Sequence, residues 1–398
     1  PTTYPYGTTS YNKGATVWHS LRGYMGDSLF YATMRTFFND YAFTSVDAYQ
    51  LRDALSTISG VDLTPFFDFH VLQPGFVHYH IDSVTVDGNN ATLSIHQTSV
   101  GTDAVARAHR IPVTFFSPTF DKHKVWLHFD GADTTATFQL PFQAAFAILD
   151  YDKEISDACT LEEIVLSNTL PKTLPLTHCK LKAIEKGTGN SHIFVSHHWA
   201  EPSHDLVPEG IVRFANRYWV VAGQWSEGSQ LQGHFQYSRC TGTSGAGYLD
   251  AGFFEEAESL DSMRLMYRYN ASYPWQAVSS NHGSNNYEDY FTTDNLVPGE
   301  YTLAVVDPTR VGIDNSNETE YEFKIYPNPA TNHITITPTH YENAYKAAVY
   351  TTEGRRVYRS RKIQDSGVLQ LNLPAGTYIM QILDADGKTL HQEKIILQ

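Results

Sequence analysis

The hydrophobic pattern of this chain changes its period at Pro74-Gly75, and this change constrains the fold more than any other feature. Before it, apolar residues recur every three or four positions, as in Lys13–Tyr24, which is typical of amphipathic helices. After it, apolar and polar residues alternate, as in Val84–Ile95 around an Asp-Gly turn, which predicts a β hairpin. The sequence therefore predicts a multidomain, mainly β protein with a helical beginning.

Four helices are predicted before Gly75. The first is predicted to start at Lys13 and to stop at Gly26, and the second to start at Asp27 as its cap. The third is predicted to start at Ser45 and to stop at Gly60, and the fourth to start at Asp62 and Pro65. Turn spacing and composition divide the chain into five segments. They are a helical segment 1–74, a β sandwich 75–152, a second β-rich domain 153–310, a polar linker 311–320 and a small sandwich of short strands 321–398. The stretches PGEYTLAV (298–305) and PAGTYIMQI (374–382) suggest that two sandwiches end alike.

Composition narrows the classes of partner. Lys and Arg number 28 against 43 Asp and Glu, so the formal charge is 28 − 43 = −15. Such an acidic chain is poorly suited to nucleic acid or an anionic membrane surface. No apolar run approaches the ~18 residues of a membrane span. Cysteines at 159, 179 and 240 do not describe a disulfide scaffold; the first two could pair, but inert buried thiols are the favoured interpretation.

Three motifs in the helical segment carry a family resemblance. They are YNKGA at 11–15, the R-x-x-x-G-D spacing from Arg22 to Asp27, and SGVDL at 59–63. Together with the helix series and the Pro-Gly entry into a β domain, they resemble the M1 (gluzincin) metallopeptidases. The resemblance implies that residues 1–74 are the helical end of a catalytic domain that cleaves peptides. It also implies that the zinc site lies upstream of Pro1.

The resemblance implies a role for Tyr11. In the family, the tyrosine of this segment donates a hydrogen bond to the oxyanion formed on the peptide carbonyl, a task suited to a neutral phenol held rigidly at a helix start. Tyr6 is a second candidate, because some members carry another tyrosine facing the same cleft, although an ordinary aromatic is favoured there. A side chain at Gly14 is expected to crowd the close packing near the cleft floor.

The family's zinc motif is His-Glu-x-x-His, which sets two imidazoles on one helical face beside a general base. None of the 18 histidines here is followed by Glu. We therefore expect zinc in the full-length protein only, no metal ligands in this chain, and no peptide hydrolysis by the chain alone. Adjacent His197 and His198 should point to opposite faces of a strand, as part of a polar strand end. Asp250, Glu255 and Glu256 are expected in a solvated loop.

The last 75 residues carry a second resemblance. IYPNPATNHITI at 325–336, VYTTEGRRVY at 349–358 and LPAGTYIMQI at 373–382 resemble a type A sorting domain of type IX secretion. This implies an Ig-like, seven-stranded sandwich that engages an outer-membrane translocon, a shuttle and a sortase-like protease. It implies a secreted or surface-attached bacterial protein. An ordinary Ig-like stability module is the alternative for this segment.

Two functions stay open at this point. The first is an M1-type zinc peptidase acting on peptide or protein substrates, exported by its last domain. The second is a non-catalytic surface binding or adhesion protein built on a degenerate M1 scaffold. An intact His-Glu-x-x-His before Pro1 would favour the first.

Overall fold

The computed structural model describes residues 9–107, 109–204, 206–238, 250, 253, 262–284, 289–307, 323–338, 343–351, 356–364, 366–384 and 389–398. The chain forms two compact units, Pro1–Ile313 and Asp314–Gln398. The predicted fold class is confirmed, since a few helices precede several antiparallel β sheets. The finer division into five segments stays a prediction. The predicted linker, Tyr6, Cys240, Glu255 and Glu256 lie outside the described residues.

The helices lie where the apolar period predicts them. A π-helical turn, Thr9–Lys13, leads into α1 (Gly14–Met25), α2 (Asp27–Asp40), α3 (Ala48–Ser59) and α4 (Thr64–His70). The stops at Gly26 and Gly60 are confirmed, and both glycines have positive φ angles of 79° and 72°. This backbone conformation is strained for other residues, which is why glycine ends these helices.

Two of the predicted helix starts are wrong. The cap of α3 is Asp47 rather than Ser45: the Asp47 carboxylate accepts hydrogen bonds from the Tyr49 and Gln50 amides, and the Gln50 side chain accepts from the Asp47 amide. This is a capping box. Asp27 does not cap α2 but lies in its first turn, where its carboxylate pairs with Arg22 at 2.8 Å.

The first β domain is a sandwich of two three-stranded antiparallel sheets. Its strands are β1 (Phe76–Asp87), β2 (Asn90–Val100), β3 (His109–Phe116), β4 (Lys122–Phe129), β5 (Asp133–Gln139) and β6 (Phe146–Leu149). The orders are β1-β2-β5 and β4-β3-β6. The predicted hairpin is confirmed, with Asp87 opposite Asn90 across the turn. Leu93, Ile95 and Val113 are fully buried in the core of this domain.

Backbone contacts fix α1 against the segment after β6. The Ser156 amide donates to the Ser20 hydroxyl at 2.9 Å, and the His19 ring lies 2.7 Å from the Lys153 carbonyl oxygen. The helix comes so close at Gly23 that a Cβ there would lie 2.3 Å from the carbonyl oxygen of Glu154. The first helix, and with it the turn that carries Tyr11, is therefore held on the β domain.

The next region has a six-stranded and a five-stranded antiparallel sheet, with orders β14-β13-β17-β11-β10-β7 and β15-β16-β12-β9-β8. The strands are β7 (Cys159–Leu166), β8 (Lys172–Leu174), β9 (Cys179–Glu185), β10 (Ser191–His198), β11 (Ile211–Gln224), β12 (Gln230–Tyr237), β13 (Met263–Arg268), β14 (Gln276–Ala277), β15 (Asn281–Ser284), β16 (Asp289–Thr293) and β17 (Gly299–Val306). Trp219 and Phe235 pack in the shared core. Cys159 and Cys179 are free thiols, in line with the favoured interpretation.

The second unit has seven strands within its described residues, as the sequence predicted. They are β18 (Phe323–Tyr326), β19 (His333–Pro338), β20 (Lys346–Thr351), β21 (Arg356–Arg359), β22 (Gly367–Gln370), β23 (Gly376–Leu383) and β24 (Thr389–Leu397). A three-stranded sheet, β18-β19-β22, and a four-stranded sheet, β21-β20-β23-β24, enclose the core. Ile334, Val349 and Met380 are fully buried in it.

The two related Pro/Gly–Tyr stretches form the same local structure. Tyr301 in β17 donates to the carbonyl oxygen of Val297 at 3.0 Å, and Tyr378 in β23 donates to that of Pro374 at 2.9 Å. Each phenol is thus bonded to the backbone four residues upstream and closes the turn that precedes its strand. The two stretches are thus alike in local structure, but they do not both end a sandwich: β17 is the last described strand of the first unit, whereas β24 follows β23 in the second.

Candidate functional site

Tyr11 lies on the π-helical turn that precedes α1. Its side chain is 64% exposed, far more than a tyrosine that packs in the helical core. The phenol is therefore open to a group from outside the described chain. This exposure is compatible with the predicted role but does not test it.

Lys13, two residues after Tyr11, makes a contact that positions the turn on which both residues lie. Its ammonium donates to the carbonyl oxygens of Gln73 and Gly75 at 3.1 and 3.2 Å. Those carbonyls lie at the entry into β1, where Gly75 has a φ of 82°. A charged donor that bridges two backbone carbonyls holds its own turn in place. The lysine of the YNKGA segment thus connects the tyrosine-bearing turn to the β domain.

A cavity of about 470 Å³ lies beside this turn. Its lining residues are Ser10, Lys13, Gly14, Val17, Trp18, Leu21, Leu51, Phe67, His70 and Val71. Burial, together with the positive charge of Lys13 and the neighbouring His109, lowers the pKa of His70 to about 3, so its ring is neutral at pH 7. The expectation for Gly14 is wrong in this chain, because a Cβ there would meet nothing within 4 Å. The cavity beside the turn leaves room for one.

The R-x-x-x-G-D motif forms a structural contact. Arg22 and Asp27 make two parallel hydrogen bonds of 2.8 Å across the Gly26 junction, and both side chains are largely exposed. The geometry is the bidentate arrangement that suits a guanidinium and a carboxylate. The motif therefore fixes the angle between α1 and α2 rather than adding a catalytic group.

Adjacent His197 and His198 do point to opposite faces of β10, as predicted. His197 stacks on Trp219 and His198 stacks on Tyr218, with ring centroids 5.3 and 4.4 Å apart. The two histidines are the last residues of β10, so the predicted strand end is confirmed, but both rings are buried. β7 and β11 hydrogen-bond the two edges of β10, and side chains such as Trp219 and Tyr218 cover the rings on its faces.

The solvated loop expected around Asp250 is also wrong for Asp250 itself. Its carboxylate is buried and accepts two hydrogen bonds from the Arg217 guanidinium at 2.8 and 3.0 Å. The partner lies 33 residues earlier in β11. Spacing along the chain gave no sign of it.

A buried group of polar side chains was missed altogether. His78 in β1 contacts the Asp157 carboxylate at 3.0 Å and the Tyr218 hydroxyl at 2.9 Å. Two residues on, His80 contacts Glu300 of β17 at 3.0 Å. Alternation along β1 (His78, His80, Asp82) was the only sequence signal, since it puts these polar side chains on one strand face.

None of the helices in the described ranges is both long and apolar enough to cross a membrane. Two family models match the chain, one near each end. Residues 2–70 match the Peptidase family M1 domain. Residues 324–398 match the Secretion system C-terminal sorting domain.

Two named relatives match parts of the chain. The Probable aminopeptidase 1 of Sulfurisphaera tokodaii is 23% identical over 172 residues, which is 41% of this chain and 22% of the relative. The Aminopeptidase N of Lactococcus lactis subsp. lactis is 32% identical over 91 residues, 23% of this chain and 10% of the relative. The chain thus spans a minor part of the length of both.

Among solved structures, the crystal structure of Legionella pneumophila aminopeptidase A in complex with aspartic acid is similar at 18% identity and a TM-score of 0.29. The match covers 34% of this chain and 16% of that one. The two family matches therefore lie at opposite ends of the chain, with similarity to the M1 peptidase domain at residues 2–70 and to the secretion sorting domain at residues 324–398.

Proposed function

We propose that this chain is the C-terminal part of a secreted, zinc-dependent aminopeptidase of the M1 kind. The single observation that carries the proposal is the family match over residues 2–70, which includes the YNKGA segment. Peptides or proteins with a free amino terminus are the substrate class. The sorting domain directs type IX secretion and surface attachment, by way of an outer-membrane translocon, a shuttle and a sortase-like protease.

Within that function, Tyr11 is the proposed oxyanion donor. A phenol hydroxyl is neutral at pH 7 and donates one strong hydrogen bond. The hydroxyl would stabilise negative charge that develops on the carbonyl oxygen of the scissile bond. The contact between Lys13 and the entry into β1 supports this role, because a preorganised donor need not reorient during the reaction. Tyr6 remains a weaker second candidate for the same cleft.

The outer face of the helices supports the proposal that they belong to a larger domain. α2, the residue that follows it and α3 leave several large side chains at least one-third exposed; these are Tyr31, Phe38, Tyr41 and Tyr49. Large apolar surfaces of this kind mark contacts with other protein segments. A preceding part of the catalytic domain would cover them.

The residues present do not fit the zinc of that family. No histidine in the 398 residues is followed by glutamate, so the chain contains no His-Glu-x-x-His helix. We assign no catalytic step to a metal held by this chain. The metal of the full-length protein would be bound by residues outside it.

Tyr11→Phe in the full-length protein is the experiment that tests this function. We expect kcat to fall about 10²- to 10³-fold with little change in KM, because the lost hydrogen bond forms mainly in the transition state. Steady-state kinetics on an aminoacyl 4-nitroanilide measures both constants.

Tyr269→Phe is the matched control, since Tyr269 is also exposed, at 55%, but lies just after β13, outside the helices, and has no proposed role. Its kinetics should equal those of the wild type. If Tyr11→Phe keeps the wild-type kcat/KM, Tyr11 is an ordinary helix-start aromatic and the proposed role is wrong. If the wild-type protein hydrolyses no peptide at all, the binding-protein alternative gains support.

A further inference from the structure

Three side chains converge on the first hairpin, well away from the helical segment. His80 of β1 lies directly opposite His96 of β2. Between Ile81 and Ser83 the register shifts, so Asp82 is the extra residue of a β bulge. Bulges re-aim a side chain, and they recur next to functional sites. Here the bulge brings the Asp82 carboxylate between the two rings.

The three donor atoms already lie together, in hydrogen-bond contacts that a bound ion would replace. The same Asp82 oxygen, Oδ1, lies 3.1 Å from Nδ1 of His80 and 2.5 Å from Nδ1 of His96. One ligand atom from each of the three residues lies within 4.8 Å of the others. Two imidazole nitrogens and a carboxylate oxygen are a donor set that divalent transition metals such as Zn²⁺ accept.

The outer contacts of His80 match those of a metal ligand. Its second ring nitrogen, Nε2, lies 3.0 Å from Glu300, and Glu300 in turn accepts from Arg268 at 2.7 Å. Metal-binding histidines commonly donate their other N–H to a carboxylate, which fixes the ring and raises its basicity. The Glu300–Arg268 pair thus leaves Nδ1 of His80 directed at Asp82.

The exposure of the three residues and the charge around them also favour binding of a cation. The His80 side chain is 4% exposed, whereas His96 and Asp82 are 18% and 22% exposed, so solvent reaches the group from one side. When both imidazole rings are neutral, the carboxylates of Asp82 and Glu300 and the guanidinium of Arg268 give the group one net negative charge. The surroundings therefore favour a positive charge at this point.

We propose that Nδ1 of His80, Nδ1 of His96 and the Asp82 carboxylate bind one divalent transition-metal cation of the Zn²⁺ type, with water completing the coordination. The site is separate from the family's catalytic zinc. It departs from the expectation that the chain holds no metal ligands. The ligands come from two strands and a bulge, a pattern that no motif spacing describes.

The site would act as a structural clamp. The cation would hold the β1–β2 hairpin through three ligands, while His80 reaches the second β-rich region through Glu300 in β17. A ligand that binds only the folded state raises its stability. Binding should therefore raise the thermal transition of the chain without producing hydrolytic activity.

The test is titration of the untagged full chain with Co²⁺, followed by visible absorption, and with Zn²⁺, followed by calorimetry. We expect one cation per chain and a higher Tm with Zn²⁺. His96→Ala and Asp82→Asn should each weaken binding at least about tenfold and cancel the shift in Tm. His128→Ala, an exposed histidine on β4, is the matched control and should bind like the wild type.

Two results would overturn the proposal. One is the absence of a bound cation in the wild-type chain at millimolar metal. The other is equal binding by wild type, Asp82→Asn and His96→Ala. Asp82→Asn nearly preserves side-chain shape, so it keeps the test decisive if His96→Ala fails to fold. Loss of binding in Asp82→Asn together with an intact wild-type fold by circular dichroism supports the site.

Discussion

Removal of residues 321–398 is expected to leave the preceding residues folded and to abolish delivery of the protein to the cell surface. Among the described residues, the hydrophobic core of the second unit is formed by residues between Phe323 and Leu397. The core clusters of the first unit contain none of them. Each unit therefore has its own core, which is the physical requirement for folding alone.

Fluorescence and surface proteolysis separate the two parts of this prediction. All six tryptophans precede Ala277, so their emission reports on the first unit alone. The truncated protein should keep the wild-type emission spectrum and stay inside the cell envelope, protected from added protease. As a control, residues 314–398 fused to a folded reporter should carry it to the surface. Normal surface levels of the truncated protein would contradict the sorting function.

Glu300→Ala is expected to destabilise the first unit by about 3–5 kcal/mol. Glu300 is buried and accepts hydrogen bonds from Arg268 at 2.7 Å and from His80 at 3.0 Å. Burial raises the pKa of Glu300, but the two positive partners outweigh that effect and lower it. Without the carboxylate, the Arg268 guanidinium would remain buried as an uncompensated charge. Such a charge costs far more than the loss of an exposed ion pair.

Urea unfolding followed by tryptophan emission measures this effect in the full chain. Glu185→Ala is the control, because Glu185 is an exposed acidic residue at the end of β9. We expect its effect to stay within about 0.5 kcal/mol. Glu300→Gln retains a hydrogen-bond acceptor, so its destabilisation should lie between those of Glu300→Ala and Glu185→Ala. A Glu300→Ala midpoint equal to that of the control would mean that the pair contributes little to stability.

The sequence predicted best where a local pattern determines the structure. The hairpin around Asp87 and the helix stops at Gly26 and Gly60 follow from alternation and turn chemistry within about ten residues, whereas the seven strands of the second unit were implied by the family resemblance. Helix starts were less certain, since Ser45 and Asp47 are both good caps. Only the reciprocal bond to Gln50 favours Asp47.

Buried polar groups were predicted worst. Asp250 was expected in a solvated loop, and the burial of His197 and His198 was not predicted, because polar side chains are usually exposed. Their partners come from strands far along the chain, as with Arg217 and Asp250, so no local spacing reveals them. The hairpin group at His80 was missed for a different reason: His80, Asp82 and His96 are close in sequence, but simple alternation does not reveal the β bulge at Asp82 that brings them together. Tyr11 was found only through a family resemblance, and its role stays a prediction.

A comparison of aminopeptidase activity tests the central claim most directly. The claim is that this chain supplies M1 peptidase residues around Tyr11 and a sorting domain, while residues outside it bind the catalytic zinc. The measurement is hydrolysis of an aminoacyl 4-nitroanilide by the 398-residue chain and by the full-length protein, each with and without added Zn²⁺. We predict turnover by the full-length protein and none by the chain, even with Zn²⁺ bound at the hairpin. Turnover by the chain alone, or an inert full-length protein with zinc bound, would contradict the account.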